Sequence, residues 1–229
     1  MITLRALLLR MIADLADGYD VVILIDGNDE NRHGPVGTGK TNLGLWIAYA
    51  LAQLLQEGAD RAGLGETFWF DIDEDLVVRD DLKGFRTAIR DRRFGKIILL
   101  DEAEWFFFNE WHSYKEVKAN TPEFMSNRKE GRVWILAIPT IWKMLDFMRD
   151  TRIQWRIRME TRYTATVFMR GPSRSNLPKK DVWGIGVTRP RKIPMLPSSI
   201  WKGYERRIDQ HVCEERGRSD CVVNLREKR

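Results

Sequence analysis

Gly34, Pro35, Val36, Gly37, Thr38, Gly39, Lys40 and Thr41 form the string GPVGTGKT, which fits the pattern G-x-x-x-x-G-K-[ST] throughout. Gly34, Gly37 and Gly39 let the backbone curl until consecutive N–H groups converge on phosphate oxygens. A helix starting at the end of the string adds the positive end of its dipole. Lys40 is the residue type that reaches the β- and γ-phosphates of a nucleoside triphosphate, and the Thr41 hydroxyl is placed to bind Mg2+. The flanking residues agree. Residues 21–25 (VVILI) are a β-branched apolar run expected of a strand buried on both faces, and residues 41–56 have the apolar spacing of a helix that ends near Gly58. Residues 26–33 separate that strand from Gly34, so either an insertion decorates the nucleotide mouth or the strand runs on past Ile25. Arg32 and His33 fall in this stretch and read more readily as a solvated loop than as nucleotide contacts.

Further along, Ile97-Ile-Leu-Leu-Asp101-Glu102 sets two acids at the end of a second buried strand, 61 residues after Lys40. Open α/β sheets bind ligands at that edge. Asp101 is the expected second contact for Mg2+, and Glu102 is set to polarise a water for in-line attack on a γ-phosphate. A third buried strand, residues 133–138 (VWILAI), is followed by Pro139 and Thr140. A polar side chain there would stand beside the γ-phosphate, between the two motif strands. Thr140 reads equally as such a sensor and as a helix N-cap. Arg128, just before this strand, is the first candidate for an arginine supplied in trans to the γ-phosphate, ahead of Arg149 and Arg152. Trp105, Phe106, Phe107, Phe108 and Trp111 follow the acids and suit core or interface packing better than base stacking.

The remaining spacing completes an α/β pattern. Helices are predicted over residues 2–16, ended by Gly18, and over 81–91, 113–130 with Pro122 as an interruption, 141–150 and 198–215. A short strand is predicted at 67–70, before the acidic turn DIDED. From Ile153 to Arg170 apolar and polar residues alternate, which predicts a β-hairpin with one basic face. Three segments result: an N-terminal amphipathic helix (1–19), a core (20–170), and a C-terminal extension of loop and helix (171–229).

Charge is uneven, because residues 171–229 hold fourteen Lys or Arg against seven Asp or Glu, within a chain whose net charge is +5. That imbalance fits nucleic-acid contact as well as it fits a solvated tail. Apolar residues at 43%, with nine Trp and ten Phe, are ample for a core and exclude a disordered chain. No run approaches the ~20 apolar residues of a transmembrane helix, and residues 1–20 lack a signal-peptide pattern, so a cytoplasmic location is expected. Two cysteines, Cys213 and Cys221, make no disulfide framework, and with His211 they fall short of a four-ligand zinc set. The acids of residues 71–75 lack the glycine of a calcium loop.

GPVGTGKT, IILLDEAE and SNRKEGRVWILAIPTIWKMLDFMRD, in that order, resemble the ATPase core of the FtsK–HerA superfamily. These are ring-forming DNA pumps of the P-loop class, among them viral genome-packaging ATPases and conjugative-plasmid motors. The resemblance spans roughly residues 20–160. It implies a P-loop NTPase fold of the RecA/ASCE type: a mainly parallel central sheet flanked by helices and closed by an antiparallel edge hairpin. It also implies ATP and Mg2+ as cofactors, with Lys40, Thr41, Asp101 and Glu102 in the corresponding roles and Arg128 as the trans arginine. Family members often carry Gln where this chain has Pro139-Thr140. The partners implied are double-stranded DNA, further copies of the chain in a ring of five or six, and a capsid or membrane complex. The location would be the host cytoplasm or the virion in a viral setting. An ATPase that powers protein assembly or secretion is the alternative, and a small-molecule kinase is disfavoured by the Asp-Glu pair.

Overall fold

The computed structural model describes residues 4–27, 39–107, 115–126, 129–161, 164–169 and 196–215. Six strands form one sheet: β1 (Val21–Gly27), β2 (Leu76–Val77), β3 (Ile97–Leu100), β4 (Val133–Ala137), β5 (Trp155–Thr161) and β6 (Thr164–Met169), in the order β2-β3-β4-β1-β5-β6. All neighbours run parallel except β5 and β6, which form an antiparallel edge pair. This is an α/β architecture compatible with a Rossmann-like fold.

Helices cover both faces because the central strands are apolar on both. In β1, Val21, Ile23 and Ile25 pack with α1 (Leu4–Ala16) and α2 (Lys40–Ala62), while Val22 and Leu24 face the other side. That second side is covered by α4 (Leu82–Arg90), the short α5 (Glu104–Phe107), α6 (Lys115–Ser126) and α7 (Asp146–Thr151). The short α3 (Ile72–Asp75) and the C-terminal α8 (Ser198–Glu215) complete the described chain. Phe85, Phe106, Phe107, Phe124 and Trp134 form one aromatic cluster, with ring centroids 4.4 Å apart for Phe85–Phe106 and 4.8 Å for Phe124–Trp134. Packing is thus the use of that part of the aromatic run; Phe108 and Trp111 lie outside the described residues.

Several boundaries differ from the sequence expectation. β1 runs on through Asp26 and Gly27, since Asp26 is fully buried and held by Arg156. The long helix passes Gly58 and stops at Gly63, whose φ of +68° suits glycine as a C-terminal cap. Residues 67–70 form no strand; the edge strand is the two-residue β2, hidden from periodicity by its brevity. Pro122 is accommodated inside α6. The helix expected over 141–150 divides into a 3-10 turn (Ile141–Lys143) and α7. The hairpin is present, but its basic face is not open: Arg156 is buried against Asp26, and Arg158 pairs with Glu160 at 2.9 Å.

At the sheet's opposite edge, before β1, the buried Asp20 carboxylate accepts hydrogen bonds from both guanidinium groups of Arg132 (3.2 Å) and Arg152 (3.1 Å) and from the Trp134 indole (3.3 Å). The second of these removes Arg152 as a phosphate contact.

Candidate functional site

Three parallel strands end side by side. The Gly27 amide donates to the Pro139 carbonyl at 3.1 Å, and the Ala103 amide to the Ala137 carbonyl at 2.9 Å. The ends of β1, β4 and β3 therefore share one edge, with β4 in the middle. α2 starts at the same edge. Its N-cap, Gly39, has φ +81°, a left-handed geometry that glycine adopts without strain. Among the described residues no side chain caps its first turn.

The first two residues of α2 reach the acids that follow β3. The Thr41 hydroxyl donates to Asp101 Oδ1 at 2.8 Å, across 60 positions of sequence. Burial holds the Lys40 pKa below the ordinary lysine value, opposed by the charges of Glu104, Asp101, Asp26 and Glu102. Asp101 is only 6% exposed, and burial drives its carboxyl up, opposed by the hydroxyls of Tyr204 and Thr41. Glu102 is exposed and has φ +53°, an unusual conformation for a residue with a side chain. Backbone strain at a non-glycine residue is a common mark of a functional position. Arg79 approaches Glu102 at 3.7 Å and stacks over Trp105 at 4.4 Å from the ring centroid.

Two further members were not anticipated. Glu104 opens α5 beside Lys40; burial, then Glu102 and Asp101, push its carboxyl up to about 7. Its Oε2 is buried with no hydrogen-bond partner among the described residues. The signal was present as a third acid in the string DEAE. Tyr204 on α8 donates to Asp101 Oδ2 at 2.8 Å, a contact over 103 positions that no local pattern announces.

Thr140 lies beyond the end of β4, past Ile138 and Pro139, and caps the 3-10 turn, accepting from the Trp142 amide at 3.3 Å. Of the remaining expected site residues, Gly34, Pro35, Val36, Gly37, Thr38 and Arg128 lie outside the described residues. Arg149 is taken up by Asp146 at 2.7 Å.

Among the described residues no cluster of three or more His, Cys, Asp or Glu is arranged to hold a metal. Thr41 and Asp101 nonetheless offer hard oxygen atoms at one point, which fits Mg2+, an ion that takes most of its shell from water and phosphate. No described helix is long and apolar enough to cross a membrane. No family model matches the chain, and no curated protein matches it.

Proposed function

We propose that the chain is a magnesium-dependent ATP hydrolase of the P-loop class that moves double-stranded DNA as a ring of identical subunits. The observation that carries the reading is the 2.8 Å hydrogen bond from Thr41 to Asp101, which joins the end of a phosphate-binding string to the acid of a second motif 60 residues away. The acids around Lys40, the uncapped start of α2 and the position of β4 between β1 and β3 all support it.

The chemistry then divides among the chain's own residues. Amides of residues 34–39 and the first turn of α2 bind the β- and γ-phosphates. Lys40 offsets their charge. Thr41 and Asp101 would hold Mg2+, which supplies further charge neutralisation on the phosphates. Glu102 accepts a hydrogen bond from a water and aligns it with the γ-phosphorus; the water oxygen bonds to that phosphorus as the bond to the β–γ bridging oxygen breaks, and the water's proton passes by way of Glu102 to the released phosphate, giving ADP and phosphate. The DNA part of the proposal rests on the resemblance and on the basic excess of residues 171–229, since Arg156 of the hairpin is engaged internally.

ATP turnover by the purified full chain, with and without linear duplex DNA at low salt, tests both parts. Turnover is expected, stimulated by duplex, abolished by Lys40→Ala, and reduced at least about a hundredfold by Glu102→Gln with nucleotide binding kept. Absence of turnover would remove the hydrolase reading. Turnover indifferent to duplex would remove the DNA motor and leave ATP-driven work on a protein partner.

A further inference from the structure

We propose that the Tyr204 hydroxyl occupies the position of a metal-bound water on Asp101, so that docked α8 and a magnesium-bearing nucleotide compete for that carboxylate. This deepens the nucleotide-site reading above and rests on it.

Both oxygens of the Asp101 carboxylate are taken by hydroxyl donors, Oδ1 by Thr41 at 2.8 Å and Oδ2 by Tyr204 at 2.8 Å. Thr41 and Tyr204 meet on opposite oxygens of one carboxylate. The phenol oxygen thus sits on the free side of the carboxylate that, with Thr41, fits Mg2+. A magnesium ion keeps near-octahedral geometry with ligands at about 2.0–2.1 Å and retains several waters, through which a neighbouring carboxylate is commonly engaged. A phenol at hydrogen-bonding distance from Asp101 Oδ2 takes the place of such a water.

The helix that carries Tyr204 is attached in a way that permits release. Arg206 pairs with Asp73 at 2.8 Å in an exposed contact, Arg207 pairs with Asp81 at 3.1 Å, and the His211 imidazole Nε2 donates to the Arg79 carbonyl at 2.7 Å. Ile200, Tyr204 and Ile208 are only partly buried against the core. A groove of about 980 Å³, lined by Tyr49, Phe70, Ile72, Ile200 and Gly203 among others, lies beside the helix and leaves part of that side unpacked. The Arg79 contact extends the coupling, because the Arg79 side chain faces Glu102. Undocking α8 therefore frees Asp101 and loosens the neighbour of Glu102 together. Linkage makes the effect reciprocal: a magnesium-bearing nucleotide drives α8 off, and whatever draws α8 away favours that nucleotide.

The test is a titration of Mg2+ against binding of a fluorescent ATP analogue to the full chain and to the Tyr204→Phe variant. Loss of a hydrogen bond to a buried carboxylate should lower the half-saturating Mg2+ by about fivefold or more, while binding of the analogue in EDTA changes by less than about twofold. Hydrogen exchange on the unaltered chain is the companion measurement: amides of residues 198–215 should exchange faster once Mg2+ and the analogue are added together, and not with either alone. A half-saturating Mg2+ that is unchanged or raised in Tyr204→Phe, with binding retained, would overturn the proposal; so would protection of α8 that rises on loading. If the unaltered chain binds no analogue at any Mg2+ concentration, the nucleotide-site reading itself fails, and this inference with it.

Discussion

Glu104 sits where burial, and then the charges of Glu102 and Asp101, hold its carboxyl near 7 against an ordinary value of 4.5, with Lys40 pulling the other way. The folded chain therefore binds this proton more tightly than the unfolded one, and the residue costs stability as pH rises from about 4.5 to about 7 and throughout the range above. Glu104→Gln keeps the shape and removes the charge. Its expected gain at pH 8 is on the order of 1–3 kcal/mol, shrinking toward zero near pH 5, as calorimetric Tm values at the two pH values would read. A gain of equal size at both would mean that ionisation is not the cause. This residue also marks how far the sequence reaches at the finest scale. Lys40, Thr41, Asp101 and Glu102 were singled out together by their spacing, and of these Thr41 and Asp101 do meet. Glu104 carried the same residue type but no spacing rule, and Tyr204 depends on where a helix a hundred positions later comes to rest.

Elements were legible wherever a period was long enough to repeat. The central strands and α8 stand close to where alternation and helical spacing put them. The failures share a cause. A strand of two residues has no period, and the aromatic run near Phe70 imitated one; there the Phe68 amide instead bonds the Gln56 side chain at 2.7 Å. β1 was cut short because an aspartate ended its apolar run, although Asp26 is a buried strand residue whose charge is met by Arg156 of the neighbouring β5. The pair is bidentate, with contacts from 2.6 to 3.2 Å. Replacing Arg156 with Met should cost about 3–5 kcal/mol in urea unfolding, because it strips a buried carboxylate of its main counter-charge, whereas the double variant Asp26→Leu/Arg156→Met should recover most of that loss. Additive losses in the double variant would show that the two side chains act independently.

At the scale of the whole molecule, one edge of the sheet gathers the candidate site and the other gathers a structural anchor. Asp20 binds the amides of Glu130 and Arg132, the Trp134 indole and two guanidinium groups, and so ties the entrances of β1, β4 and β5. Asp20→Asn leaves two buried cations without their shared anion. A loss of about 3–5 kcal/mol in stability is expected, with the affinity for Mg2+ and nucleotide unchanged at temperatures where the variant stays folded. Weakened nucleotide binding at full folding would show that the two edges are coupled. Apolar runs and alternation name strands but not their neighbours. The placing of β4 between the two motif strands and of the hairpin at an edge was legible only through the motifs and the resemblance, and the two-residue β2 at the other edge was not legible at all.

That order has a consequence for how the chain acquires its shape. β1 is synthesised before both of its partners, which lie more than a hundred residues downstream, with Val21 pairing Val133 and Ile23 pairing Trp155. Its VVILI run must therefore wait, unpaired and sticky, until β4 and β5 have emerged or a helper shields it. Closing loops of that length before any reward is collected belongs to the slow end of folding, where self-association on the ribosome's doorstep competes with maturation.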